Sequence, residues 1–170
     1  KERESEEIKQ FLKNHEISEP LCPKDAFFGG RVETFKLIDD QLELKKMYLD
    51  VNSLYPFVVS KKKFPVGHPK ILIQNLGISL DPYFGYIKCE ILPPKQLLIP
   101  VLPIRANGKL VFPLCYTCAQ NQNTNFCTHS DSERKIKGTW FSEELKLAGE
   151  NGSEIKKIFE IYHFEKQASN

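Results

Sequence analysis

All eleven prolines of this chain lie between Pro20 and Pro113, and none follows. A proline fixes φ and removes a backbone donor, so it interrupts helices and central strands wherever it recurs. The stretch up to Pro113 must therefore fold from short elements joined by turns, whereas the last third can form uninterrupted ones. Within the proline-rich part, Ile87, Cys89 and Ile91 alternate with Lys88 and Glu90, which predicts a half-buried strand closed by Pro93-Pro94. Asn107-Gly108, set inside Ile104 to Phe112, predicts a two-residue hairpin. Beyond the last proline, Ser142 followed by Glu143 and Glu144 predicts a helix capped by Ser142 and closed by Gly152, and Ile155 to Phe164 reads as a last strand. The connections are too short for many crossover helices, so the fold class is α+β with antiparallel pairing.

At 170 residues the chain is one domain or a piece of one. A 41% hydrophobic and 27% charged composition is that of a globular protein, and a net charge of +2 excludes a uniformly basic nucleic-acid binder. Contact with nucleic acid would have to come from local patches. Between Lys45 and Ile73 stand Lys45, Lys46, Lys61, Lys62, Lys63 and Lys70 against Asp50 alone, a charge run that reads either as a solvated face or as a nucleic-acid-facing one. Ile8, Phe11, Leu12 and His15 recur at helical spacing, predicting an amphipathic helix over about residues 3–14 that ends before Pro20 and Pro23. The chain starts at Lys1 and stops at a polar tail, and is expected to be a segment of something longer.

Leu42, Leu44, Met47, Leu49 and Val51 alternate with polar residues, with one slip of phase at Lys45-Lys46, and so predict a strand with a bulge. Asn52 or Ser53 can then cap a short helix whose first turn tolerates Pro56. A carboxylate at a strand end, here Asp50, followed at once by the unpaired N–H groups of a helix start, suits a divalent cation and a polyphosphate side by side.

Five cysteines, Cys22, Cys89, Cys115, Cys118 and Cys127, cannot all pair internally. With no apolar run near the ~20 residues of a membrane span and no signal-peptide pattern, the expectation is an intracellular protein in a reducing compartment with no membrane association. Cys115-x-x-Cys118 and Cys127-x-His129 offer four soft ligands around a polar loop, a candidate zinc site. The alternatives are reduced cysteines beside a loop or a redox-active pair. His15, His68 and His163 lack ligand partners nearby in sequence and read as structural or solvated.

The run Tyr48-Leu49-Asp50-Val51-Asn52-Ser53-Leu54-Tyr55-Pro56 resembles motif A of family B DNA polymerases, and Phe27-Phe28-Gly29-Gly30-Arg31 resembles the Tyr-x-Gly-Gly motif that precedes it. Phe64 to Pro69, Phe112 to Cys115, Cys127 to Ser130 and Gly138-Thr139-Trp140 look like the stretch that follows motif A in protein-primed polymerases of Maverick/Polinton type. The resemblance implies a palm-like antiparallel sheet with short helices. Residues 1–22 would be a helical linker from a preceding exonuclease-like region, and 23–170 part of the palm with the protein-primed insertion. It implies Mg²⁺ at Asp50, with the Val51 carbonyl as a second contact. The N–H groups of Ser53, Leu54 and Tyr55 would face the dNTP, with the Tyr55 ring excluding a ribose 2′-OH. Gly29, Gly30 and Arg31, with Lys61, Lys62 and Lys63, would contact template-primer DNA, and a terminal protein would be a further partner. Phe27 replaces the family's tyrosine, so that hydroxyl's contact is lost. Motif B and the second catalytic aspartate of motif C are absent from the sequence, and the isolated chain is expected to be inactive. Two readings of other classes stand beside this one: a non-catalytic, zinc-stabilised nucleic-acid-binding module, and an interaction domain with an accidental likeness.

Overall fold

A computed structural model describes residues 19–32, 34, 38, 40, 45–74 and 76–169. The helix expected over residues 3–14, and Leu42 and Leu44, lie outside them. A single 3₁₀ turn, Pro23–Ala26, is followed by helix α1, Leu54–Lys61, and two short strands, β1, Phe64–Val66, and β2, Lys70–Leu72. Strand β3, Gly85–Leu92, leads to the hairpin of β4, Ile104–Ala106, and β5, Lys109–Val111. Two short helices come next, α2, Tyr116–Gln120, and α3, Asp131–Arg134. Strand β6, Ile136–Phe141, helix α4, Ser142–Glu150, strand β7, Glu154–His163, and strand β8, Lys166–Ala168, complete the order.

The centre is a four-stranded antiparallel sheet in the order β2-β7-β3-β6. The alternation in β3 does what its pattern predicts: Ile87, Cys89 and Ile91 are buried on one face, beside Ile136 and Trp140 of β6 and Ile161 of β7. Helix α4 closes over this face with Leu145 and Ala148, one helical turn apart, and Leu102, Ile104 and Ala106 complete the core. Trp140 satisfies its indole N–H on the Pro103 carbonyl at 2.9 Å, so the largest buried side chain leaves no orphan donor. β7 is two residues longer than its partner β3, and the register slips twice, at Lys88/Cys89 and at Glu90/Ile91, which are β-bulges.

The Asn107-Gly108 hairpin forms as read, with Ala106 opposite Lys109 and positive φ at both turn residues, 51° and 74°. Gly152 ends α4 in a Schellman motif, in which the N–H of Ser153 bonds to the Ala148 carbonyl and that of Gly152 to Gly149. Ser142 is not the cap of α4. It is the first helical residue, and its buried hydroxyl accepts from the Gly85 N–H at 3.2 Å, while the cap-position N–H of Phe141 is bound by the Glu144 carboxylate at 3.1 Å. Ile155 to Phe164 is not the last strand either, because β8 follows and pairs with β1.

The expected strand through Met47, Leu49 and Val51 is not formed over residues 45–51. These residues are non-regular and exposed, Leu49 by 79%. A strand needs a neighbour for its ladder, and among the described residues none pairs here, so the alternation has no sheet to act on. The helix after it does form, but Ser53 caps it in a left-handed conformation, φ 58°, with no side-chain hydrogen bond.

Candidate functional site

Helix α1 starts four residues after the loop residue Asp50. Its first internal bond runs from the Phe57 N–H to the Ser53 carbonyl at 3.0 Å, which leaves the N–H groups of Leu54 and Tyr55 without helical partners. Pro56 lies in the first turn, where its missing donor costs nothing. Every residue of this mainly apolar helix is exposed or half-exposed, including Tyr55 at 79%. Asp50, Val51, Ser53, Leu54 and Tyr55 thus share one open stretch of surface.

Gly30 comes to the same place from far upstream: a Cβ added to it would stand 3.7 Å from the phenolic oxygen of Tyr55. Nothing lies within 4 Å of a Cβ added to Gly29, so that position is open. Arg31 is held by the chain itself, donating from Nη1 to the Pro100 carbonyl at 2.8 Å and resting 4.8 Å from the centre of the Phe112 ring. Lys61, Lys62 and Lys63 are exposed at the C-terminal end of α1, while Lys70 pairs with Glu165 at 2.6 Å. Among the described residues, no group of three or more His, Cys, Asp or Glu includes Asp50.

The four soft ligands do come together. The Sγ atoms of Cys115, Cys118 and Cys127 lie 3.5, 3.3 and 3.5 Å from Nδ1 of His129, and all four ligand atoms fall within 4.8 Å of one another. Cys115 is the cap residue of α2, and its sulfur accepts from the Cys118 N–H at 3.4 Å, a bond that the two intervening residues make possible. With one residue between Cys127 and His129, the ring nitrogen nearer the backbone is the one that reaches the sulfurs. His129 passes straight into Ser130, whose N–H and hydroxyl both bond to Glu133, starting α3 with a capping box.

The buried guanidinium of Arg134 then ties α3 to the sheet, donating to the carbonyls of Pro93, Pro94 and Leu114 and pairing with Asp131. Thr117 donates to the Glu133 carbonyl at 2.7 Å, which joins α2 to α3. Hydrogen bonds from the His129 backbone and ring bring the Cys127 thiol down to about 7. Burial and the neighbouring thiols push Cys118 up to about 11. All five cysteines are free.

Against known proteins, the family model described as "DNA polymerase type B, organellar and viral" matches residues 22–169. The chain belongs to this family. A "Probable DNA polymerase" of Podospora anserina is 32% identical to this type B segment over 143 residues, 84% of the chain and 10% of that protein. One of Neurospora intermedia is 31% identical over 156 residues, 85% of the chain and 14% of that protein. The segment therefore spans a small part of the length of these relatives. No solved structure matches it significantly. The family match runs through both Asp50 and His129, so both candidate sites lie within the matched segment.

Three contacts around these sites were not visible in the sequence. Phe112 seats Arg31, Arg134 anchors the turn after His129, and Asn123 donates its amide to the Cys118 sulfur at 3.7 Å. Each acts across a turn or a strand pair, and a one-dimensional pattern carries no signal for that. The structural role read for His163 is present, since its Nδ1 accepts from the Phe84 N–H at 3.1 Å.

Proposed function

We propose that this chain is the motif A portion of a DNA polymerase that extends a primer with deoxynucleotides, and that it is inactive when isolated. The observation that carries the reading is the meeting of Gly30 with Tyr55, which joins the two sequence motifs on one open surface in a chain of the type B family. In this reading the N–H groups of Ser53, Leu54 and Tyr55 donate to the triphosphate, the Tyr55 ring stands where a 2′-OH would go, and Asp50 contributes one carboxylate to metal binding. A bound Mg²⁺ would supply charge neutralisation at the phosphates. Among the described residues Asp50 belongs to no cluster of metal-ligating side chains, whereas a pair of ions ~3.5–4 Å apart needs several carboxylates; in this reading the remaining ones come from the rest of the parent.

Lys61, Lys62 and Lys63, with the open backbone at Gly29 and Gly30, are the proposed DNA contacts. The position of Arg31 on Phe112 and Pro100 supports a role in holding that segment more than a direct phosphate contact. Priming by a terminal protein and residence in a reducing compartment belong to the same proposal, supported by the likeness of residues 64–140 to protein-primed enzymes and by the free thiols.

Primer extension by the full-length parent is the test. Asp50→Asn should lower the rate by on the order of a hundredfold or more, while Asp81→Asn and Asp131→Asn should leave it near normal. Among the described residues the Asp81 carboxylate accepts from Ser79, and the Asp131 carboxylate pairs with Arg134. Near-normal extension by the Asp50 variant would overturn the reading.

A further inference from the structure

We propose that Cys115, Cys118, Cys127 and His129 bind one Zn²⁺ in a closed, structural site. A tetrahedral zinc with Zn–S near 2.3 Å and Zn–N near 2.05 Å sets its sulfur and nitrogen ligands about 3.6 Å apart. The three sulfur-to-Nδ1 separations, 3.3–3.5 Å, are close to that edge. Three thiolates and one imidazole are a donor set that favours zinc over magnesium or calcium, which take oxygen.

The surroundings of the ligands fit a metal centre as well as the ligands do. Backbone N–H of Cys118 points at the Cys115 sulfur, and the Asn123 amide points at the Cys118 sulfur, so two of the thiolates carry the N–H···S contacts that orient and stabilise metal-bound sulfur. Both halves of the site are fixed from outside. Arg134 holds the Leu114 carbonyl, next to Cys115, and Thr117 holds α3 through Glu133. An open cavity of about 580 Å³, lined in part by Cys118, Cys127, Asn123 and Phe112, gives an ion a way in.

The role follows from what the site encloses. Four protein ligands fill the coordination sphere and leave no position for water or substrate, so the ion cross-links and does not catalyse. Between its ligands runs Gln120 to Phe126, polar except at Phe126, which is 97% exposed. No apolar packing can fix such a loop, and a zinc ion can. The proposal goes beyond the polymerase reading and does not depend on it.

The 170-residue chain, expressed and purified under reducing conditions, should carry about one zinc by elemental analysis, and Cys22→Ser should keep it. Cys118→Ser and Cys127→Ser should lose it. If those variants are insoluble, cobalt substitution of the wild-type chain still decides, by showing the intense visible bands and thiolate charge-transfer bands of tetrahedral Co²⁺. Stripping the metal should speed chymotrypsin cleavage after Phe126 by on the order of tenfold, and zinc should restore protection. A metal-free chain that takes up no Zn²⁺, a weak octahedral cobalt spectrum, iron in place of zinc, or a Cys115–Cys118 disulfide in the native protein would each overturn it.

Discussion

Gly30 and Tyr55 face each other so closely that a methyl group on Gly30 would sit in van der Waals contact, 3.7 Å, with the tyrosine hydroxyl. The tyrosine is otherwise 79% exposed, so the glycine segment is one of the few things that limit where its ring can stand. In the full-length parent, Tyr55→Ala should raise the ratio of ribonucleotide to deoxyribonucleotide incorporation, and Tyr55→Phe should not, because the blocking group is the ring. Incorporation ratios measured with mixed nucleotides check this, and an unchanged ratio in the alanine variant places sugar discrimination elsewhere.

The same contact distance predicts that a methyl group at Gly30 costs the fold little. Gly30→Ala should shift stability by no more than about 0.5 kcal/mol. Gly85→Ala is the contrasting case, because φ there is +150° and an added Cβ would meet the Tyr162 carbonyl oxygen at 1.9 Å between two central strands. That variant should unfold or accumulate as aggregate. Thermal denaturation of the pair separates the two cases.

Removing Arg134 should cost far more than its position in a four-residue helix would lead one to expect. Arg134 is 4% exposed, and its guanidinium donates to three carbonyls, two just after β3 and one just before Cys115. Arg134→Ala should destabilise by about 2–4 kcal/mol in urea denaturation, since the buried Pro93 carbonyl and the part-buried Pro94 and Leu114 carbonyls lose their donor. Arg134→Lys should recover only part of it, because an ammonium cannot span all three acceptors. A loss under 1 kcal/mol for the alanine variant would show that water replaces the guanidinium.

Glu144 predicts a pH effect of opposite sign to the usual carboxylate. Burial raises its pKa above the ordinary 4.5, opposed by the Phe141 N–H bond. Within the window above 4.5 the folded chain holds a proton that the unfolded chain has lost, so this group's contribution is full below 4.5 and falls as pH rises through the folded pKa. Glu144→Gln keeps the acceptor for Phe141 without the charge. Its Tm should equal or exceed that of the wild type at pH 7, and the difference should vanish below about pH 4.5. A variant less stable at pH 7 and equal at low pH would reverse the assignment.

What the residues determined alone were the features that rest on local chemistry. The Asn-Gly hairpin needs two positive φ angles in sequence, Gly152 a left-handed residue after a helix, and the β3 alternation a period of two, and each is written within a few positions of the chain. Ser142 and the run from Met47 to Val51 show where this stops. A serine before two glutamates caps a helix unless a neighbouring strand claims its hydroxyl, and Gly85 does. An alternating run is a strand only if another strand lies beside it, and among the described residues none does. The two candidate sites divide in the same way. Asp50, Tyr55 and the four soft ligands were legible as residue types at set spacings. That Gly30 meets Tyr55 and that Arg31 rests on Phe112 depends on contacts between segments far apart in the chain, and the turns that bring three sulfurs to one nitrogen of His129 are anchored by Arg134 on carbonyls about forty residues upstream, contacts that only the tertiary packing decides.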